Sequence, residues 1–297
     1  MINTEINSYE NLYYGMWEAA GRYSSLIQFR IIGKSHDDRM IPMIEMGQGD
    51  LCIFCLGGLS GRDRNMPWYL LKMIQEYAKY WECGWKLEEL YDVRELLQKW
   101  KICFVPLLNP DGYEIYNKGF QAVRNPIYRQ MLKMQGVPCT DFFCNGRGVD
   151  LKENFPTSYY RRKQIYQQPA SENETKALVS VFQEYPGRGL LSFGYSEKRI
   201  IYFKQPGAFR TNQKCYRLAR HMQKLGAFSV EKWKAAREMP SVQKESETGS
   251  PEQFFSELCK NPAFRIEIPE REEYAEGESE REYREIHTLP LEFLFSL

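Results

Sequence analysis

Residues 51–63 read Leu-Cys-Ile-Phe-Cys-Leu-Gly-Gly-Leu-Ser-Gly-Arg-Asp, an apolar run broken by paired glycines and closed by two charges. Six successive apolar residues, Leu51–Leu56, predict a short central strand covered on both faces. A second such run, Lys101–Leu107, ends in Asn109-Pro110-Asp111-Gly112, which reads as a turn. Between them, Leu70, Leu71, Ile74, Tyr77 and Ala78 recur at helical spacing after Asn65, with Pro67 in the first turn. Upstream, strands are expected at Leu26–Ile32 and Ile41–Met46, around the polar turn Gly33–Arg39. A helix carrying Tyr9, Leu12, Met16 and Ala20 is expected before them, capped by Ser8.

The same alternation continues downstream. Ser171-Glu172-Asn173-Glu174 reads as a capping box for a helix over Thr175–Tyr185. Strands follow at Leu190–Phe193, Ile200–Phe203 and Phe264–Ile268, with a helical stripe of Cys215, Leu218, Met222 and Leu225 between the last two. Interleaved helices and strands predict an α/β fold. No internal repeat or Gly/Ser linker divides the chain, so one domain over residues 1–297 is expected. Residues 269–285 hold eight glutamates against three arginines and read as a solvated loop or helix face. The apolar stretch 286–297 is expected to dock back on the domain.

Composition narrows the function. Forty basic against thirty-nine acidic residues leave a net charge of +1, which argues against binding nucleic acid through phosphate neutralisation. No apolar run approaches the roughly 20 residues that span a bilayer, so no membrane partner is expected. MINTEINSYENLYYG has neither the basic nor the apolar region of a signal peptide, and a cytoplasmic location is expected. Cys52 and Cys55 form a C-x-x-C inside a strand, where residues three apart face opposite ways, and no second pair follows. The eight cysteines therefore read as small buried hydrophobes in a reducing compartment. Only three histidines occur, His36, His221 and His287, far apart in sequence.

Six collinear segments resemble the zinc metallocarboxypeptidases of the carboxypeptidase A type. IGKSHDDRMIPMIEMG is similar to an early strand–turn–strand, CLGGLSGRD to "GGxHGRE", and VPLLNPDGYEI to "NPDGY". NGRGVDLKENFP resembles "RGVDLNRNFP", SENETKALVSVF the "SEPETxAL" helix start, and FRIEI the final strand. NPIYRQMLKMQGVPCTDFF is nearer to the bacterial branch that cleaves cell-wall peptides. The resemblance implies a mixed, mostly parallel eight-stranded sheet with helices on both faces. It also implies a site at the carboxyl ends of central strands, holding a zinc ion between His, Glu and His. That metal would polarise the scissile carbonyl and activate a water, with a separate Glu as base.

This chain departs from the pattern at the metal. The His-x-x-Glu ligand pair falls on Ser60 and Asp63, and the second His on Phe193, Gly194 or Tyr195, with Phe193 taken as its place. A neutral hydroxyl is a poor replacement for imidazole. Zinc is therefore expected to be absent, and a site built from any of the three histidines would be an unrelated arrangement. The segment that grips the substrate carboxylate reads Leu151-Lys152-Glu153-Asn154. Either Lys152 and Glu153 pair with each other or the site is retuned toward a cationic group. The family's late tyrosine falls in Gln243–Thr248, where there is none.

By resemblance, Glu267 occupies the general-base position, Arg62 stands beside the ligands, and Arg124 takes a possible oxyanion position. Glu267 is expected to pair with Arg62 or Arg124 in place of the metal. The reading is a catalytically degenerate carboxypeptidase-like protein that binds a peptide or cell-wall peptide fragment. The alternatives are a hydrolase with an altered metal arrangement and an assembly module with a filled cleft.

Overall fold

A computed structural model describes residues 8–162, 168–203, 208–233, 249–269 and 278–297. The chain enters through helix α1 (Tyr9–Arg22), whose cap Ser8 accepts the Asn11 amide, and runs on into strands β1 (Ile27–Lys34), β2 (Met40–Met46) and β3 (Leu51–Leu56). Helix α2 (Met66–Cys83), a small hairpin of β4 (Lys86–Leu87) and β5 (Tyr91–Asp92), and α3 (Val93–Lys99) lead to β6 (Trp100–Val105). Helices α4 (Pro110–Lys118), α5 (Pro126–Met134) and α6 (Asn173–Glu184) precede β7 (Gly187–Tyr195) and β8 (Arg199–Tyr202). Then come α7 (Phe209–Gly226), β9 (Ser229–Lys232), α8 (Pro251–Cys259), β10 (Ala263–Ile268), α9 (Glu278–Ile286) and α10 (Leu289–Ser296).

Eight strands form one sheet in the order β1-β2-β6-β3-β7-β10-β8-β9. The pairings β6–β3, β3–β7, β7–β10 and β8–β9 are parallel, and β1–β2, β2–β6 and β10–β8 antiparallel. The expected mixed sheet is therefore present, and alternation along each strand feeds two cores. Cys55, Leu191 and Phe193 face one core with Met16, Ile74 and Leu218 from α1, α2 and α7. Cys52, Phe54 and Leu190 face the other with Phe182 of α6 and Phe255 of α8. Cys52 and Cys55 do point opposite ways, and both are free thiols.

Three local expectations need correction. Asn109–Gly112 is not a turn but the first turn of α4: Asn109 caps it, accepting the Gly112 amide at 2.9 Å, and Pro110 fits the first helical position. Ser171 does not cap α6. Its hydroxyl donates to Glu172 Oε1 at 2.7 Å, the helix begins at Asn173, and both glutamates are turned inward instead. The acidic stretch is only partly a solvated face. Residues 270–277 lie outside the described residues, but Glu282 of α9 is buried and accepts the Tyr69 hydroxyl at 2.8 Å. The apolar stretch docks as expected, α10 burying Leu289, Leu291 and Phe293 against α7 and α3.

Candidate functional site

The cleft is built where β3 leaves the sheet. Gly58 takes a left-handed φ of +59°, and a Cβ there would stand 2.8 Å from the Leu107 backbone. Gly61 approaches the backbone of Gly112 and Phe142 so closely that a Cβ would fall 2.6 Å from Gly112 O. The Asn109 amide then ties this loop down, donating to Leu59 O at 3.1 Å and Cys144 O at 3.2 Å. Glycines and one asparagine thus fix Ser60–Asp63 at the carboxyl end of a central strand.

A cavity of about 280 Å³ opens there. Ser60, Arg62 and Asp63 form one side, Asp150 and Lys152 another, and Phe143 and Tyr195 supply aromatic walls. Asp63 is almost fully buried, and its Oδ2 accepts the Ser60 amide at 3.0 Å. The Ser60 hydroxyl accepts the Arg62 amide at 3.2 Å. Across from them, a Cβ built on Gly194 would meet, among the described residues, nothing within 4 Å except Asp63 Oδ1, at 3.8 Å. Phe193, one residue earlier on β7, is buried in the opposite core. Of the three residues considered for the third ligand, strand alternation turns Gly194 toward Asp63 and Phe193 away.

Glu267 of β10 keeps its place beside this point, because it pairs in register with Gly194 on one side and Arg199 of β8 on the other. Its partner is not the expected one. Arg199 Nε donates to Glu267 Oε2 at 2.6 Å, and the same guanidinium reaches Glu231 at 3.4 Å. The antiparallel neighbour strand sets Arg199 directly opposite Glu267. Arg124 is not among the described residues lining the cleft. Its amide and its Nη1 donate to Asp37 Oδ2 at 2.6 Å and Asp37 O at 3.3 Å, which anchors it to the β1–β2 turn. Lys152 lines the cavity whereas Glu153 does not. Residues 243–248, where the late tyrosine is missing, lie outside the described residues.

The sequence profile described as zinc carboxypeptidase matches residues 13–275. The chain belongs to this family. Solved structures agree on the fold. Bovine thrombin-activatable fibrinolysis inhibitor, in complex with tick carboxypeptidase inhibitor, superposes with a TM-score of 0.72 at 14% identity, over 97% of this chain and 96% of that one. Carboxypeptidase A from Helicoverpa armigera gives 0.69 at 13% identity, covering 96% and 72%. A metallo-carboxypeptidase from Burkholderia cenocepacia gives 0.65 at 12% identity, covering 97% and 69%. No curated protein matches this chain. Among the described residues, no helix is long and apolar enough to cross a membrane.

Family zinc requires two imidazoles and a carboxylate, and the donor set here does not fit. Ser60 offers a hydroxyl, Asp63 a carboxylate already accepting a backbone amide, and Gly194 no side chain at all. This carboxypeptidase-family chain carries its buried charge elsewhere. Glu252 of α8 is sealed on the sheet and held by Arg265 of β10, Nη2 to Oε2 at 2.8 Å, and by the Ser192 hydroxyl of β7. Burial alone would raise its carboxyl, but that guanidinium and hydroxyl outweigh it and hold the group at about 2.

At the start of α6, Glu172 accepts from Asn145 Nδ2 at 2.8 Å and from the Ser171 hydroxyl. His36 Nε2 stands 3.1 Å from its Oε2. Glu174, fully buried two residues on, has no paired cation among the described residues. Burial pushes its carboxyl up to about 7, and the nearby Asp111 adds to that. Sequence reasoning passes over Arg199, Arg265 and this glutamate pair. The signal available for Arg199 is its place at the head of the apolar run Ile200–Phe203.

Proposed function

We propose that the cleft binds a peptide end without hydrolysing it, through a zinc site that has been lost. One observation carries the reading. The only described side-chain atom facing the third ligand position is Asp63 Oδ1, and the residue at that position, Gly194, brings no ligand. Without a metal, water at this cleft lacks the Lewis acid on which the family's chemistry depends. Glu267, the base by position, is committed to Arg199 and lies outside the lining residues.

The lining indicates the ligand class. Arg62 and Lys152 suit a carboxylate, Asp63 and Asp150 an ammonium group, and Phe143 and Tyr195 an apolar stem. A peptide terminating in a diamino acid carries all three features. The open volume weighs against an assembly module with a filled cleft. The free thiols fit a reducing, cytoplasmic compartment.

The test pairs binding with turnover. Titration of a cell-wall tripeptide ending in a diamino acid should give saturable binding that weakens at least tenfold in Lys152→Ala. Reporter peptides ending in Phe, Leu, Lys or Arg should remain intact with zinc added in excess. Turnover that disappears in Glu267→Gln would overturn the proposal. Installing Ser60→His, Asp63→Glu and Gly194→His together should create zinc affinity at the cleft, because a side chain at 194 has room.

A further inference from the structure

The β1–β2 turn and the first turn of α6 bring together an imidazole and two carboxylates that serve no role in the cleft. One ligand atom from each of His36, Glu172 and Glu174 lies within 4.8 Å of the others. We propose that these three residues bind a divalent transition-metal ion, at a site separate from the family's zinc position. The cluster is more than a group of acids. Glu174 is fully buried and its Oε1 has no hydrogen-bond partner among the described residues. His36 Nε2 is buried beside it, 3.1 Å from Glu172 Oε2. A buried carboxylate oxygen left unsatisfied in this way is costly unless something occupies the space beside it.

The surroundings orient the donors. Glu172 Oε1 is taken by the Ser171 hydroxyl at 2.7 Å and by Arg147 at 3.4 Å, which leaves Oε2 turned to His36. Asn145 Nδ2 steers both carboxylates, donating to Glu172 Oε2 and, at 3.4 Å, to Glu174 Oε2, so that Glu174 Oε1 is the free atom. Asp111 fixes the turn on both sides of the imidazole, accepting the Ser35 hydroxyl at 2.7 Å and the Asp37 amide at 3.1 Å. Such outer contacts fix the direction of metal ligands.

One imidazole with two carboxylates suits zinc, cobalt or manganese better than magnesium or calcium. The helix N-terminus opposes a cation with only about half a positive charge, less than two carboxylates supply. His36 is 14% exposed and gives an ion a route in. None of the three residues lines the Ser60–Asp63 cleft among its described lining residues.

Cobalt(II) alone, titrated into the full chain at pH 7.5, separates this site from the thiols and from the cleft. The expected result is one equivalent bound, with visible d–d absorption and no thiolate-to-metal band. His36→Asn and Glu174→Gln should each weaken binding at least tenfold, while Lys152→Ala leaves it unchanged. Anomalous scattering at the cobalt edge from wild-type crystals should place the ion between His36 and Glu174, independently of how the variants fold. Absence of binding, a thiolate band, or affinity unchanged in both variants would overturn the site. A peak at Asp63 would overturn it too, and with it the zinc-free reading of the cleft. Turnover without such a peak would touch only that reading.

Discussion

Glu252 and Glu174 both stand in the first turn of a helix, α8 and α6, and both are cut off from solvent, yet their surroundings differ. Glu252 meets Arg265 at 2.8 Å and stays ionised down to about pH 2, whereas Glu174 meets an imidazole and a second carboxylate and rises to about 7. Equal burial accompanies opposite shifts. The difference teaches that a buried acid on this scaffold is a closed structural element when a guanidinium faces it, and an open valence when none does.

The largest expected effect breaks the closed side. Arg265→Ala leaves Glu252 buried and unpaired, and should cost about 3–5 kcal/mol in urea denaturation. Lowering the pH dissolves the same pair more gently. The Glu252 carboxyl lies at about 2 folded against an ordinary 4.5. Its contribution is therefore complete above about pH 4.5 and is lost as pH falls toward about 2, a change of roughly 3 kcal/mol. Thermal melts from pH 6 to pH 2 should show this drop in wild type and a shallower one in Glu252→Gln.

Glu267 lies between the two cases. Its partner Arg199 is 26% exposed and also reaches Glu231, so it can turn to water. Glu267→Ala should cost only about 1 kcal/mol, less than a sealed pair would. A loss as large as that of Arg265→Ala would place Glu267 with the closed elements. The smallest effect belongs to Glu174→Gln. With chelator present, a neutral amide replaces a carboxyl that burial already holds partly protonated, and stability at pH 7 should move by less than about 1 kcal/mol. A loss of several kcal/mol would mean that Glu174 carries a structural ion pair after all.

Much of the sheet is legible in the sequence because strands covered on both faces are written as apolar runs. Leu51–Leu56 occupies the residues expected, and β7 extends Leu190–Phe193 at both ends. The cleft is legible as a position: Ser60, Asp63 and Lys152 line it. Phe193 and Gly194 show where local reading leaves a choice open, since a slip of one residue along a strand exchanges faces. Alternation of Leu191 and Phe193 with Ser192 and Gly194 already contains that answer. Arg199 and His36 are harder. The contacts of Arg199 with Glu267, and of His36 with Glu172, span 68 and 136 residues and depend on which strand neighbours which turn. No local pattern encodes that.

Strand β10 comes last among the strands in sequence yet lies between β7 and β8. Once residue 202 is made and until residue 263 follows, β7 and β8 each have an edge whose final partner, β10, has not yet been made. Open apolar edges of this kind invite pairing with other nascent chains. A longer wait before β10 is made lengthens the exposure of these edges. Slow codons between residues 203 and 262 should lower the soluble yield relative to slow codons before β7.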